Sequence, residues 1–85
     1  MPRARILLAD DHTVVLDAFK KLLEPAYDVV GTAADGHALI AAAETLKPDL
    51  IILDVAMPNR NGRAACERVR QSLPGAKIMV LTMTR

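Results

Sequence analysis

The 85-residue chain has room for one domain, and by surface-to-volume scaling it buries only about 60–65% of its unfolded surface. Its 52% hydrophobic residues include only two aromatics, Phe19 and Tyr27, so the core must be aliphatic. A formal charge of +1 argues against a chain built to coat nucleic acid or an anionic membrane, and the lone Cys66 excludes an internal disulfide and a cysteine zinc site.

Arg3 and Arg5 precede a short apolar run, Ile6, Leu7, Leu8 and Ala9, that stops at Asp10 and Asp11. The run is too short for a signal peptide or membrane span and reads as a strand buried on both faces, in a soluble, cytoplasmic protein. Residues 13–24 are expected to be helical: Val14, Val15, Ala18, Phe19, Leu22 and Leu23 recur at helical spacing, and Pro25 closes the segment. A second strand is expected over residues 27–31, and an Ala-rich helix follows Asp35 and Gly36, running to Leu46 before Lys47 and Pro48.

Leu50, Ile51, Ile52 and Leu53 form a third apolar run, again ending in an acid, Asp54. A loop follows, with Pro58, Asn59, Asn61 and Gly62. Residues 63–72 are expected to form a helix, with Ala65, Cys66 and Val69 inward and Arg63, Glu67 and Arg70 outward. Pro74 and Gly75 break it, and Ile78 begins a fourth apolar run that ends at Leu81 and Thr82. Strands alternating with helices of this length imply a parallel α/β sheet with right-handed crossovers and helices on both faces.

In open sheets of this kind ligands bind beyond the carboxyl ends of the strands, where Asp10, Asp11, Asp54 and Thr82 all fall. Charge is distributed to match. Residues 1–58 hold nine Asp or Glu against five Lys or Arg, whereas residues 59–85 hold six basic residues and only Glu67. If the first and third strands are neighbours, three carboxylates share a small volume, and a divalent cation resolves their repulsion. Hard oxygen donors without a Cys or His cluster point to magnesium. A carboxylate beside such an ion can act as nucleophile toward a phosphoryl group, and the Thr82 hydroxyl can hydrogen-bond a phosphoryl oxygen. The plainer readings are strand-end aspartates serving as helix N-caps, His12 and His37 as ordinary loop or helix-start residues, and the arginines at 60, 63, 68 and 70 as a solvated helix face.

Asp10, Asp11 and His12 after the first strand, Asp54, Met57, Pro58, Asn61 and Gly62 after the third, and Leu81 and Thr82 after the fourth resemble the receiver domain of response regulators. The Asp, Asp, His opening and the Leu, Thr, Met ending are similar to the subfamily that often precedes a helix-turn-helix DNA-binding domain. The resemblance implies a flavodoxin-like doubly wound parallel sheet of strand order 2-1-3-4, phosphorylation on Asp54 by a sensor histidine kinase, and Thr82 sensing the phosphoryl group. It also implies Mg2+ held by Asp11, Asp54 and the backbone carbonyl of Ala56, with Asp10 assisting through water. Such a module assists its own phosphotransfer and is not a turnover enzyme; DNA is reached only through a separate output domain.

The family's fold continues with another helix, a fifth strand and a last helix beyond the point where this sequence stops at Arg85. The lysine that follows the family's last strand and its responsive aromatic residue lie in that part. Residues 1–85 are therefore expected to be the N-terminal portion of a receiver domain, with an exposed fourth-strand edge that favours self-association. Two alternatives are an interaction or oligomerisation fragment without phosphorylation, and a magnesium-dependent phosphohydrolase using Asp54. That hydrolase family usually has a second Asp where this chain has Ala56.

Overall fold

In a computed structural model, residues 3–10, 12–54 and 61–81 are described, with backbone only for 54, 61–64, 66, 80 and 81. The elements run β1 (Arg5–Ala9), α1 (Thr13–Leu23), β2 (Asp28–Ala33), α2 (Gly36–Leu46), β3 (Leu50–Asp54), α3 (Asn61–Ser72) and β4 (Lys77–Leu81). All strand pairs are parallel, as the alternation of elements implies, and the sheet order is β2-β1-β3-β4, as the resemblance to receiver domains implies. Several bounds shift by a residue, and two differ more: β2 extends to Ala33, and α3 starts at Asn61, within the segment expected to be loop.

The apolar runs are continuous because both faces of the sheet are covered. Alternation sends Ile6, Leu8 and Ile52 into one cluster with Leu16 of α1, to which Phe19, Leu23, Val29 and Leu50 add partly buried surface. Leu7, Ala9, Ile51 and Leu53 go to the other face, under Leu39 and Ala43 of α2 and Ala65 and Val69 of α3. Ala65 and Val69 thus point inward as the helical spacing predicted; the side chain of Cys66 lies outside the described residues.

The core face of α1 is a correction. Val14 and Leu22 are 79% and 72% exposed, while Leu16, absent from the expected stripe, is buried with Phe19 and Leu23 beside it. Positions 16, 19 and 23 form an i, i+3, i+7 row, and 14, 18 and 22 form a second apolar row turned away from the sheet. Two apolar rows compete in this sequence, and periodicity alone does not say which one the sheet takes.

The β1–β2 pairing carries a bulge: Ile6 pairs with Val29 but Leu7 pairs with Gly31, so Val30 is an extra residue. The slip lets Val29 serve the α1-side cluster while Gly31 comes up beside Leu7 on the opposite face. A Cβ at Gly31 would stand 2.7 Å from Leu46 Cδ1, so the glycine admits the last side chain of α2 across β2.

At the amino ends of the strands, Asp49 ties three of them together. Its Oδ2 accepts the Arg5 N–H at 2.9 Å, its own N–H donates to the Arg5 carbonyl at 2.8 Å, and its carbonyl accepts the Lys77 N–H at 3.0 Å. The Arg5 guanidinium also donates to the carbonyl of Lys47, at 3.3 Å.

The two rows of α1 are separable by truncation. Leu16→Ala is expected to lower stability by about 2–4 kcal/mol, and Leu22→Ala by no more than about 0.5 kcal/mol, in denaturant unfolding of the two variants. Equal losses would show that the exposed row also carries packing energy.

Candidate functional site

The site is built where β1 and β3 end. β1 and β3 pair in register from Ile6↔Leu50 to Ala9↔Leu53, so one further step sets Asp10 opposite Asp54, the last residue of β3. Neighbouring strands lie about 5 Å apart, which brings these acid-bearing positions side by side on one rim. On the other side of β3, Asp54 pairs with Leu81, the last residue of β4.

Asp10 is the buried charged residue among those described, 6% exposed. Its backbone N–H donates to the Ala33 carbonyl at 3.0 Å, which ties the end of β1 to β2. Its carboxylate Oδ1 accepts the backbone N–H of His12 at 2.9 Å, an Asx-type turn from residue i to i+2. The same oxygen lies 3.1 Å from the His12 ring Nδ1. Helix α1 begins just beyond, with His12 at its N-cap position and no capping bond from the His12 side chain. Asp10 therefore does not cap α1, and the N-cap reading of this acid fails. The genuine aspartate cap is Asp35, whose side chain accepts the Ala38 N–H at 2.8 Å to start α2.

Burial of a carboxylate away from any core hydrogen-bonding demand is costly unless something compensates its charge. The donor chemistry available here is hard oxygen, and a cation with a preference for carboxylates and water fits it. Among the described residues no group of three or more metal-ligating side chains is found. The expected set is only partly within view: Asp11, Ala56 and Thr82 lie outside the described residues, as do Met57, Pro58 and the side chain of Asp54. Asp10 and the backbone of Asp54 are the members that the fold brings together.

By sequence alone His12 is an ordinary loop or helix-start residue. It does start α1, but its ring is also engaged with Asp10. An aspartate after a buried strand is the usual start of an Asx turn, whose donor is the backbone N–H two residues on, so the backbone bond was foreseeable and the ring contact was not. His37 is exposed near the start of α2, and Arg68 and Arg70 are exposed on α3, consistent with a solvated face.

A buried carboxylate carries a desolvation cost that a neutral amide largely avoids. Asp10→Asn keeps the Oδ1 acceptor for the His12 N–H while removing the charge, and is expected to raise stability by about 1 kcal/mol in chelator-treated buffer. For a domain of this size that is a rise of roughly 4–8 °C in melting temperature. A lower melting temperature than the parent chain would show that the charge itself is stabilising.

Residues 6–85 match the response regulator receiver domain family. Among curated proteins, the chain is 40% identical over 82 residues to the uncharacterized transcriptional regulatory protein YxjL of Bacillus subtilis, covering 94% of this chain and 38% of that protein. It is 40% identical over 83 residues to the nitrate/nitrite response regulator protein NarL of Escherichia coli K12, covering 95% of this chain and 38% of that one. The chain thus spans about two-fifths of the length of these relatives. Among solved structures, a LuxR-family two-component response regulator from Aurantimonas superposes with a TM-score of 0.88 at 34% identity, over 98% of this chain and 61% of that one. A parallel sheet in the order β2-β1-β3-β4, an acid at the end of both central strands and a match over nearly the whole chain agree, and the chain belongs to the response regulator receiver domain family.

Proposed function

We propose that this receiver is a phosphoacceptor switch in two-component signalling, with Asp54 as the acceptor and a phosphohistidine on a sensor histidine kinase as the donor. The observation that carries this reading is the buried Asp10 carboxylate set beside the end of β3, where Asp54 closes the strand. An Asp54 carboxylate oxygen forms the new O–P bond while the P–N bond to the donor breaks. Its electron pair returns to the imidazole nitrogen, which takes up a proton.

Asp11, Asp54 and the Ala56 backbone carbonyl would hold Mg2+, with Asp10 assisting through water. Bound there, Mg2+ supplies neutralisation of the negative charge that an incoming phosphoryl group brings to an acidic rim. The Thr82 hydroxyl, following β4, then hydrogen-bonds a phosphoryl oxygen and reports modification to that strand. The protein acts in the cytoplasm as a regulatory acceptor and not as a turnover enzyme. In a longer protein of the NarL kind the output would be transcription, with DNA contacted by a separate domain. Among the described residues no helix is long and apolar enough to cross a membrane.

β4 is the outer strand of the sheet, and Met79 on it is 48% exposed, which supports self-association of this chain along that edge. Light scattering at micromolar concentration is expected to give a mass above that of one chain. A monodisperse monomer would end that part of the reading.

Incubation with acetyl phosphate and Mg2+, followed by intact-mass measurement, is expected to show the gain of a single phosphoryl group. The gain should be absent in Asp54→Asn and in the presence of a chelator. Continuous release of inorganic phosphate from many donor molecules would favour a phosphohydrolase, and no modification at all would leave an interaction fragment.

A further inference from the structure

The sheet has two outer strands, β2 and β4, and their edges differ. On β2 the bulge at Val30 breaks the regular run of main-chain groups, which blocks the addition of another strand. β4 is regular, with an unbroken register against β3 from Lys77 to Leu81. The Lys77 N–H donates inward, to the Asp49 carbonyl at 3.0 Å. Main-chain direction alternates along a strand, so Lys77, Met79 and Leu81 bond to β3, while Ile78 and Val80 turn their N–H and C=O groups to the outer side. No strand lies on that side among the described residues. Met79 pairs with Ile52, on the sheet face that carries α1, yet it belongs to neither core cluster and is 48% exposed.

We infer that the self-association proposed above is a closed dimer, in which β4 pairs antiparallel with β4 of a second copy about a two-fold axis at Met79. The inference rests on that self-association and specifies its geometry. Identical edges related by a two-fold axis run antiparallel. With the axis at Met79, Ile78 faces the partner's Val80 and Val80 faces the partner's Ile78. Each pair exchanges two hydrogen bonds, so every outward N–H and C=O of both residues is satisfied. An axis at Ile78 would instead set Val80 against the partner's Ala76, and the Ala76 N–H is already committed to the Leu73 carbonyl at 3.1 Å. An axis at Val80 would set Ile78 against residue 82, beyond the end of β4.

Side-chain chemistry agrees with the same axis. The two Met79 residues become a directly opposed pair of the closer, non-hydrogen-bonded kind, which covers apolar surface that one chain leaves in water. Lys77 is the charged residue of β4, and it falls opposite the partner's Leu81. The two lysines then stand about 13 Å apart along the strands, so no like charges meet. Both β4 edges are consumed and only the bulged β2 edges remain outside, so assembly stops at two chains. A five-residue edge buries little surface, and the dimer dissociates on dilution.

Light scattering across a dilution series is expected to fall from twice the 9.2 kDa chain mass to that of one chain, without larger species. Hydrogen exchange over the same series is expected to show the Ile78 and Val80 amides slowing by about tenfold or more in the dimer. The Lys77 and Met79 amides, already bonded to β3, should change much less. In a Cys66→Ala background, Met79→Cys is expected to form an intermolecular disulfide with oxidised glutathione, because opposed non-bonded positions lie about 4.5 Å apart at Cα. Lys77→Cys, about 13 Å from its counterpart, should not. Met79→Lys sets two like charges in opposition and should weaken the dimer by about tenfold, while a cooperative melt shows that the chain stays folded.

A parent chain that stays monomeric at every concentration ends both this inference and the self-association reading. A dimer whose Ile78 and Val80 amides exchange as fast as in the monomer overturns the β4 pairing alone, and points to Val14 and Leu22 on the exposed row of α1. A Lys77→Cys crosslink in place of the Met79→Cys one overturns the axis, and assemblies beyond two chains overturn the closed geometry.

Discussion

The pairing of β1 with β3 is the constraint on which the rest of this domain depends. It aligns two uninterrupted apolar runs, Ile6 to Ala9 and Leu50 to Leu53, residue for residue. Because each run ends in an acid one position later, the same register that builds the core also decides that Asp10 and Asp54 stand on one rim. A slip of one residue would send Leu7 and Ile51 to the wrong faces and would separate the acids at the same time. Core packing and site geometry are thus a single structural choice, and the strong penalty for misplacing aliphatic side chains protects the site.

The two ends of the sheet satisfy their polar groups differently. At the amino ends, Asp49 is exposed, and both its side chain and its backbone bond to the neighbouring strands. Charge there sits in solvent and costs little. At the carboxyl ends the charge is on Asp10, which is buried, accepts the His12 backbone N–H and lies against the His12 ring. The exposed and the buried aspartate are therefore separated by the length of a five-residue strand.

The alternation of elements and the place of Asp10 and Asp54 at strand carboxyl ends were legible in the sequence because they rest on apolar runs with abrupt acidic ends, whereas the strand order that sets the two acids side by side came from the resemblance to receiver domains. The inward face of α1 was not. Val14, Ala18 and Leu22 make as good a helical row as Leu16, Phe19 and Leu23, and only packing against the sheet distinguishes them. The bulge at Val30 was invisible for a related reason: Val29 and Val30 are chemically equivalent, and only pairing with Ile6 and Leu7 reveals which one is extra. The start of α3 at Asn61 was missed because Asn and Gly are loop formers by propensity, and helix starts draw on the same residue types.

His12 shows how a local rule and its violation carry different information. Propensity alone assigns the position before Thr13 to a cap, and by that measure histidine is merely tolerated there. The structure gives the residue two tasks: its backbone begins α1, and its side chain serves the strand end that precedes it. A serine or aspartate would perform the first task better, but its short side chain would be taken up by the N–H groups of the first turn of α1. His12 makes no such bond, and its ring Nδ1 lies 3.1 Å from Asp10 Oδ1, where an aspartate would add another negative charge. The weaker cap and the correctly paired carboxylate are two results of one residue choice. That coupling also links the start of α1, whose Leu16 anchors one face of the core, to the acidic rim.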